Sequence, residues 1–558
     1  MPNQDMPYTV CGTGKNSHLF LVTVKNLASR LSLAFSCCLA ILAGCALIPY
    51  AGIQMDEALF AGPYYQPVAR EFRLRLFHHD VPLMVMTYIG TLKTLLYWPL
   101  MAIFRSSFEA HPRYAAWVFR LPMVLAAALT IFVFFYLAER SAGRFPAVIA
   151  ALLLASDPTF LLTDTFDWGP VALEHLLLVT GCFFLLKFAQ DRVPRDLPLG
   201  FFFLGLALWN KAVFVWALAG LICAAVSVFG RELSKMTNRR HLLLAAAGFL
   251  AGALPFVIYN GHRRLETFRT SGHLEPRGAP AKFLHVRSAL GGYGLYGYIV
   301  SEEWTDRPKA PISLRGRAAV FLRDHLGEHR GGGMENAAIL AFLAVPLWWP
   351  SRAARFSVVF TAVAWFFMAS TRDAGASLHH TVLLWPFPQL FVAIAISSLR
   401  WKWTAIAICV LLVVLNLLTL GQYVSQFERN GADGVFTDAI YPLSASLSEI
   451  PGQTIYMLDW GIQFPLEVLH NGRLNMRSGH DPFIADPPSD WAKGVAQRMF
   501  ADRGALYITH AGKREVFSGV HQRFDQSATA AGCREENVRT IPDSNGRPIF
   551  QVFSLACQ

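Results

Sequence analysis

The stretch "LSLAFSCCLAILAGCALIPYAGIQMDEALFAGPYY", residues 31–65, decides how the chain folds. Residues 31–50 hold no charge and suffice, as a helix, to cross a hydrocarbon core of about 30 Å. Asp56 and Glu57 then stand side by side just past that run, among small and aromatic residues. Acids there gain nothing from the bias that orients membrane helices, which counts Lys and Arg. The apolar run sets the architecture, and the acids call for a chemical explanation.

The pattern recurs along the chain. Of 558 residues, 54% are hydrophobic, against about 45–50% in soluble domains. The mean hydropathy is +0.37. Apolar residues gather in blocks at 31–50, 81–104, 118–138, 146–162, 170–188, 198–229, 242–259, 335–349, 356–370, 380–398 and 403–420. Blocks of about 17–25 residues are crossing length, so the expected class is a polytopic α-helical membrane protein. The net charge of +11 could mark a nucleic-acid partner, but its distribution argues against one. Residues 421–558 hold 12 Lys+Arg against 15 Asp+Glu, so the basic excess lies in the membrane half. That suits topology signals and anionic membrane lipids. No nucleic-acid partner is expected.

Lys15, Lys25 and Arg30 precede the first run. That run is longer than the core of a signal peptide, about 7–15 residues. It reads as an uncleaved anchor behind a cytoplasmic N-terminus, residues 1–30. Cys37, Cys38, Cys45, Cys182, Cys223 and Cys409 lie in apolar runs and read as small packing residues. Cys533 and Cys557 lie in the polar tail and can pair if that tail is extracytoplasmic.

Short basic loops set the orientation. "ERSAGR" (139–144), "KFAQDRVPRD" (187–196), "GRELSKMTNRR" (230–240), "SRAAR" (351–355) and "RWK" (400–402) are all expected on the cytoplasmic side. An even number of crossings must then separate the N-terminus from 139–144. Blocks 31–50 and 118–138 supply them, so 81–104, with Lys93 inside it, lies along the outer face. By the same parity 198–229 is a hairpin of two short helices turning near "LWNKAVF", with Lys211 at its outer tip. The alternative, in which 81–104 spans and 198–229 crosses once, puts two basic loops outside and separates Asp56 from Asp167. The preferred count is about eleven crossings. It gives a transmembrane domain at 31–420, a first outer loop at 51–117 with interfacial helices, and a long outer loop at 260–334. That long loop carries 12 Lys+Arg against 7 Asp+Glu. The tail, 421–558, alternates strand-like runs such as "QTIYMLDW" and "ALYITHA" with polar helical stretches. It is expected to be a small extracytoplasmic α/β domain.

This topology gathers the ionisable residues on one face. Asp56 and Glu57 follow the first helix, and Asp164 and Asp167 lie in the second outer loop. Arg372, His379 and His380 precede the tenth helix, and Lys93 and Lys211 complete the set. Ionisable groups at a membrane boundary are costly to desolvate and mark functional sites. A carboxylate there can take a proton from an attacking hydroxyl or amine. Nearby Lys and Arg can hold a leaving phosphate.

The order "MDEALFA" (55–61), "FRLPMVLAAALTIFVFFYLAERSAG" (119–143), "LLLASDPTFLLTDTFDWGPVAL" (152–173) and "GLALWNKAVFVW" (205–216) resembles a bacterial glycosyltransferase family. That family includes protein O-mannosyltransferases and the lipid A aminoarabinose transferase, and the resemblance covers roughly residues 31–400. It implies the GT-C fold of multi-spanning, polyprenyl-phosphate-dependent glycosyltransferases, with the catalytic acid in the first outer loop. By motif, Asp56 matches that acid, Glu57 the acid adjoining it, Asp167 the second-loop acid and Lys93 a donor-phosphate lysine. Lys211, Arg372, His379 and His380 are the further donor-binding candidates. The departure at "DWGPVALEH" leaves Asp164 open as the partner of Asp56. Some relatives hold a divalent metal near these acids and others need none, so no cofactor is assigned.

The expected function is inverting transfer of a sugar from a polyprenyl-phosphate donor at the outer face of the bacterial inner membrane. The acceptor is a lipopolysaccharide, another surface glycan, a lipid or a protein. A non-catalytic flippase of lipid-linked sugar is the alternative. The lack of charge in the middles of the crossing helices weighs against it.

Overall fold

The computed structural model describes residues 14–65, 72–76, 78–236, 238–303, 309–372, 378–448 and 452–557. Residues 1–13 of the expected cytoplasmic N-terminus lie outside them. Helix α1 (Gly14–Leu47) carries the first crossing. Beyond it come two single turns, α2 (Met55–Ala58) and α3 (Gly62–Tyr65). Two small antiparallel pairs follow: β1 (Arg73–Leu76) with β2 (His79–Pro82), and β3 (Met84–Met86) with β4 (Ile89–Gly90).

Helix α4 (Leu92–Phe104) has 13 residues. At about 1.5 Å per residue it is too short to cross, in keeping with a segment 81–104 that does not span. It buries Lys93, Thr94, Tyr97 and Met101 and exposes Leu95, Leu96, Trp98 and Ile103. An exposed apolar face on so short a helix suits the headgroup boundary of a membrane.

The bundle continues through α5 (Tyr114–Ala142), α6 (Arg144–Ser156), α7 (Pro158–Thr165), α8 (Val171–Asp191), α9 (Asp196–Asn210), α10 (Phe214–Met236) and α11 (Arg239–His262). The long loop holds α12 (Glu266–Ser271), α13 (Ala279–Gly291) and α14 (Leu314–Leu326). The bundle closes with α15 (Met334–Leu343), α16 (Val345–Trp348), α17 (Arg352–Ser370), α18 (Leu378–Thr381), α19 (Phe387–Ser397) and α20 (Lys402–Asn430). Among the described residues, seven helices are long and apolar enough to cross a membrane. The bent pairs at 144–165 and 378–397 raise the number to nine.

About eleven crossings were expected, and two shorter apolar helices stand beside those nine. Helix α9 has 15 residues and α15 has 10, below the roughly 20 of a full span, and α9 is the first of the two short helices expected in the hairpin at 198–229. The expected break in 198–229 is present, since α9 ends at Asn210 and α10 begins at Phe214. Helices α9 and α11 meet through glycine. A methyl group on Gly205, Gly248 or Gly252 would run into backbone carbonyls of the facing helix. Close backbone approach through small residues is how helices pack where no water drives them together.

Helix α20 runs ten residues past the expected boundary, to Asn430. The tail then folds as α21 (Ile440–Leu447), β5 (Thr454–Met457), α22 (Gln463–Leu469), β6 (Asn475–Ser478), α23 (Asp490–Ala501), β7 (Leu506–His510), α24 (Val520–Ala530), β8 (Cys533–Pro542) and β9 (Pro548–Cys557). Its sheet has the order β6-β5-β7-β9-β8. Strand β5 runs parallel to β6 and β7, and β9 runs antiparallel to β7 and β8. Cys533 and Cys557 are opposite one another on β8 and β9 and form a disulfide. The sheet shares a core with the first outer loop: Ile53, Phe60, Tyr97 and Phe108 pack in one cluster with Leu443, Ile455, Ile508 and Val552.

Candidate active site

The first outer loop is built around a buried ion pair. Arg120, inside α5 and fully buried, donates to both carboxylate oxygens of Glu57, at 2.5 and 2.8 Å. Its remaining donors reach the carbonyls of Ile48, Ala51 and Gly52 at 2.6–2.9 Å. A buried guanidinium is tolerable only when its donors are met this completely. Glu57 also accepts from the Gln54 backbone at 3.1 Å, while the Gln54 side chain accepts from the Asp56 N–H at 2.6 Å. This reciprocal cap starts the turn α2. Glu57 is therefore occupied in fixing the loop, and Asp56 is left half-buried, its carboxylate without a hydrogen-bond partner among the described residues.

Three elements converge on Asp56. Ile89, at the end of the small hairpin, forms a β-bridge with Lys211. Ala212 N–H donates to the Tyr88 carbonyl at 2.8 Å, and the Trp209 indole donates to Leu83 at 2.8 Å. These bonds dock the broken hairpin α9–α10 on the strand that leads into α4, so Lys211 and Lys93 arrive together. Lys93 is fully buried, in contact with Asp167 and 4.3 Å from the Phe60 ring centroid.

Asp167 and Gly169 follow α7 with φ of 45° and 78°. Aspartate tolerates this left-handed conformation better than most residues, and glycine adopts it freely. At Gly169 a side chain would start only 3.3 Å from the Lys211 ammonium nitrogen. Trp168, between them, stacks on His379 at 4.8 Å, and His380 packs beside His379.

Burial dominates the electrostatics. It raises the Asp56 carboxyl above the usual carboxylate range, against the opposing pull of Lys211 and then Lys93. Burial lowers Lys93, against Glu57 and Asp56, and its contact with Asp167 adds to that restraint. Burial likewise takes Lys211 down to about 8, against Asp56 and Glu174. A carboxylate with a raised pKa is the better proton acceptor. Two desolvated ammonium groups beside it make an anion site of high field.

The structure thus brings together Asp56, Lys93, Asp167, Lys211 and His379, with Glu57 and His380 one layer behind. Asp164 is placed elsewhere: it pairs with the buried His175 at 2.9 Å, whose other ring nitrogen meets the Val382 carbonyl at 2.8 Å. Arg372 is exposed, and its backbone bonds the His273 carbonyl at 2.8 Å. Residues 373–377 beside it lie outside the described residues. Among the described residues no three His, Cys, Asp or Glu side chains gather as a metal would need. With Glu57 and Asp167 both engaged by cations, the carboxylates at this site do not fit a divalent ion. Sequence reasoning missed Arg120, Glu174 and Asn210. An arginine inside an apolar helix run is itself a signal, and "FRLPMV" carried one.

Comparison with known proteins bears on the fold that carries these residues. Residues 99–259 match the family model described as dolichyl-phosphate-mannose-protein mannosyltransferase. No curated protein matches the chain in sequence. Among solved structures, ArnT from Cupriavidus metallidurans bound to undecaprenyl phosphate is 12% identical, with a TM-score of 0.53 over 94% of this chain and 97% of that one. The same protein in the apo state is 13% identical, with a TM-score of 0.50 over 96% and 98%. The archaeal oligosaccharyltransferase AglB from Archaeoglobus fulgidus, in complex with an inhibitory peptide and a dolichol-phosphate, is 11% identical. Its TM-score is 0.52 over 96% of this chain and 74% of that one. At these identities the likeness is one of fold. The GT-C fold and the family match bear out the resemblance read from the sequence, and the chain is a membrane glycosyltransferase.

Proposed function

We propose that this membrane glycosyltransferase moves a sugar from a polyprenyl-phosphate donor to a hydroxyl or amine on a cell-surface acceptor, with inversion at the anomeric carbon. One observation carries the reading: a half-buried carboxylate, Asp56, flanked by two buried lysines, at the end of a membrane bundle. The solved relatives whose titles name undecaprenyl phosphate and dolichol-phosphate support a lipid-phosphate donor.

The chemistry follows from the placement. Lys93 and Lys211 receive the donor phosphate. Asp56 takes the proton of the acceptor as its oxygen or nitrogen bonds to the sugar C1. The bond from C1 to phosphate oxygen breaks on the opposite face, and its electron pair stays on the polyprenyl phosphate, where the lysines offset the growing charge. Asp167 holds Lys93 in place, Glu57 and Arg120 hold the turn that carries Asp56, and Trp168 holds His379 at the rim. Arg372, on the exposed edge, is assigned to the lipid headgroup side of the donor path.

The outer face of a bacterial inner membrane is the setting this reading requires. The Cys533–Cys557 disulfide supports it, because disulfides persist in oxidising compartments. The test is mass spectrometry of surface glycans from a strain lacking the gene and from its parent. Loss of one sugar from one acceptor is expected and names both partners. Identical glycans and glycolipids in the two strains would remove the proposal.

A further inference from the structure

Residues 263–287 of the long outer loop carry six basic side chains, Arg263, Arg264, Arg269, Arg277, Lys282 and Arg287, against two acids, Glu266 and Glu275. Helices α12 and α13 of this segment each set a phenylalanine on a membrane helix. The Phe268 ring meets Phe256, near the end of α11, edge to face at 6.1 Å, and Phe283 meets Trp365, in the outer part of α17, at 5.5 Å. The length of α17 fixes the depth. Its 19 residues rise about 28 Å at about 1.5 Å each, so Ser370 stands at the far edge of a hydrocarbon core of about 30 Å. The segment is bonded to that edge: the Glu275 N–H donates to the Ser370 carbonyl at 2.6 Å, and the Lys282 ammonium donates to the Arg372 carbonyl at 2.9 Å. Leu265, Phe268, Phe283 and Leu284 are 45–61% exposed at this level, and the crossing helix α11 exposes Leu250, Leu254 and Val257 in the same way below it. The chain turns into this layer through Arg264 and Leu265, with φ of 50° and 59°. Two successive non-glycine residues in the left-handed region are uncommon and persist only where their surroundings fix them. Asn260 does so: its carbonyl accepts from the Leu265 N–H at 2.8 Å, and its side chain accepts from the Thr267 N–H at 3.3 Å. Thr267 in turn donates to the Thr87 carbonyl, on the hairpin whose Ile89 bridges Lys211, so the layer borders the site.

The arginines differ in how they are engaged. Arg263 faces Glu266 at 4.0 Å, and Arg287 pairs with Glu335. Arg264, Arg269 and Arg277 are exposed and form no ion pair among the described residues, and one Arg269 donor goes to the Arg263 carbonyl at 3.1 Å. Exposed apolar side chains at the edge of the hydrocarbon, rimmed by uncompensated arginines, complement an anionic lipid surface. Acyl chains cover the apolar groups, and headgroup phosphates take charge-assisted bonds from the guanidinium groups. We infer that residues 263–287 form an interfacial apron that binds anionic phospholipid in the leaflet on the catalytic side. Arg264, Arg269 and Arg277 meet the headgroups, and Leu265, Phe268, Phe283 and Leu284 meet the acyl chains. The apron does not depend on the donor-phosphate reading of Lys93 and Lys211, because none of its residues takes part in that chemistry.

The test is native mass spectrometry of the purified full-length protein, stripped of lipid in neutral detergent. It is then offered equal amounts of phosphatidylglycerol and phosphatidylethanolamine with the same acyl chains. Each basic residue near an anionic membrane surface is worth about fivefold in binding. Wild type should therefore retain the anionic lipid in about tenfold excess or more, and the triple variant Arg264→Gln, Arg269→Gln, Arg277→Gln should lose that excess. Arg→Lys at the same three positions keeps the charge and should keep the excess. The triple variant Lys493→Gln, Arg534→Gln, Arg539→Gln removes the same charge from exposed positions of the tail and should leave the excess unchanged. Equal retention of the two lipids by wild type, an excess that survives the apron triple, or one lost equally in the tail triple overturns the inference. So does a wild-type dimer that the apron triple splits while its bound lipid stays the same, because this face would then be a contact between copies.

Discussion

At the scale of single residues, the two adjacent acids have divided their work. Glu57 is bound on both oxygens by Arg120, whereas the Asp56 carboxylate has no such partner among the described residues and its pKa is raised by burial. Removing one partner of a buried ion pair costs about 3–5 kcal/mol, because the other is left uncompensated. Arg120→Ala should therefore lower thermal stability and expression sharply, as read by thermal unfolding in detergent. A melting temperature equal to that of wild type would show that the pair does not hold the loop. The adjacency of Asp56 and Glu57 was legible in the sequence. Their division of labour was not, because Arg120 stands 63 residues away and reaches Glu57 only in the folded chain. Asp164 shows the same limit: its sequence neighbourhood matched that of Asp167, and only folding gave it His175 as a partner.

At the scale of elements, the site is made where helices break. The polar pair Asn210–Lys211 inside an apolar block announced the break between α9 and α10. The bends of 56° at 144–165 and 49° at 378–397 fall at Pro158 and at Pro386 and Pro388, prolines inside the apolar blocks that the block count passed over. The first is capped by Asp157, which accepts from the Phe160 N–H at 3.0 Å. The same carboxylate also accepts from Trp385 at 2.9 Å and Gln389 at 2.7 Å. One buried acid thus ties the two bent segments together, and α7 and α18 deliver Asp167 and His379 from them. Asp157→Leu would leave those buried donors unmet at about 1–3 kcal/mol each. It should lower thermal stability and turnover together. Retention of full activity and stability would show that the bends are set without Asp157. Gly169 is a second element-scale test. Its φ is 78°, and a methyl group added to it would sit 3.3 Å from the Lys211 ammonium. If Lys211 holds the donor phosphate as proposed, Gly169→Val should raise the donor KM more than it lowers kcat, because it displaces that lysine rather than Asp56. An unchanged KM would place Lys211 outside the donor site.

At the scale of the whole molecule, the charge-bias argument concerns sides of a membrane. A reporter fused after residue 110 should read extracytoplasmic, and one after residue 145 should read cytoplasmic, since segment 81–104 forms strands and the short α4 rather than a crossing helix. Alkaline phosphatase silent after 110 but active after 145 would reverse the orientation. The small C-terminal sheet domain and the first outer loop share one core. Composition showed where the polar tail begins but carried no sign that its sheet would share a core with that loop. The central claim, that Asp56 is the base for sugar transfer, is tested most directly by complementing a strain lacking the gene with wild type or with Asp56→Asn. Surface glycans are then compared by mass spectrometry at matched expression. The substitution keeps the size of the side chain but leaves it unable to take the proton, a step worth about 10²–10⁴-fold. The sugar should return with wild type and stay absent or at trace level with Asp56→Asn, and full restoration by Asp56→Asn would contradict the account.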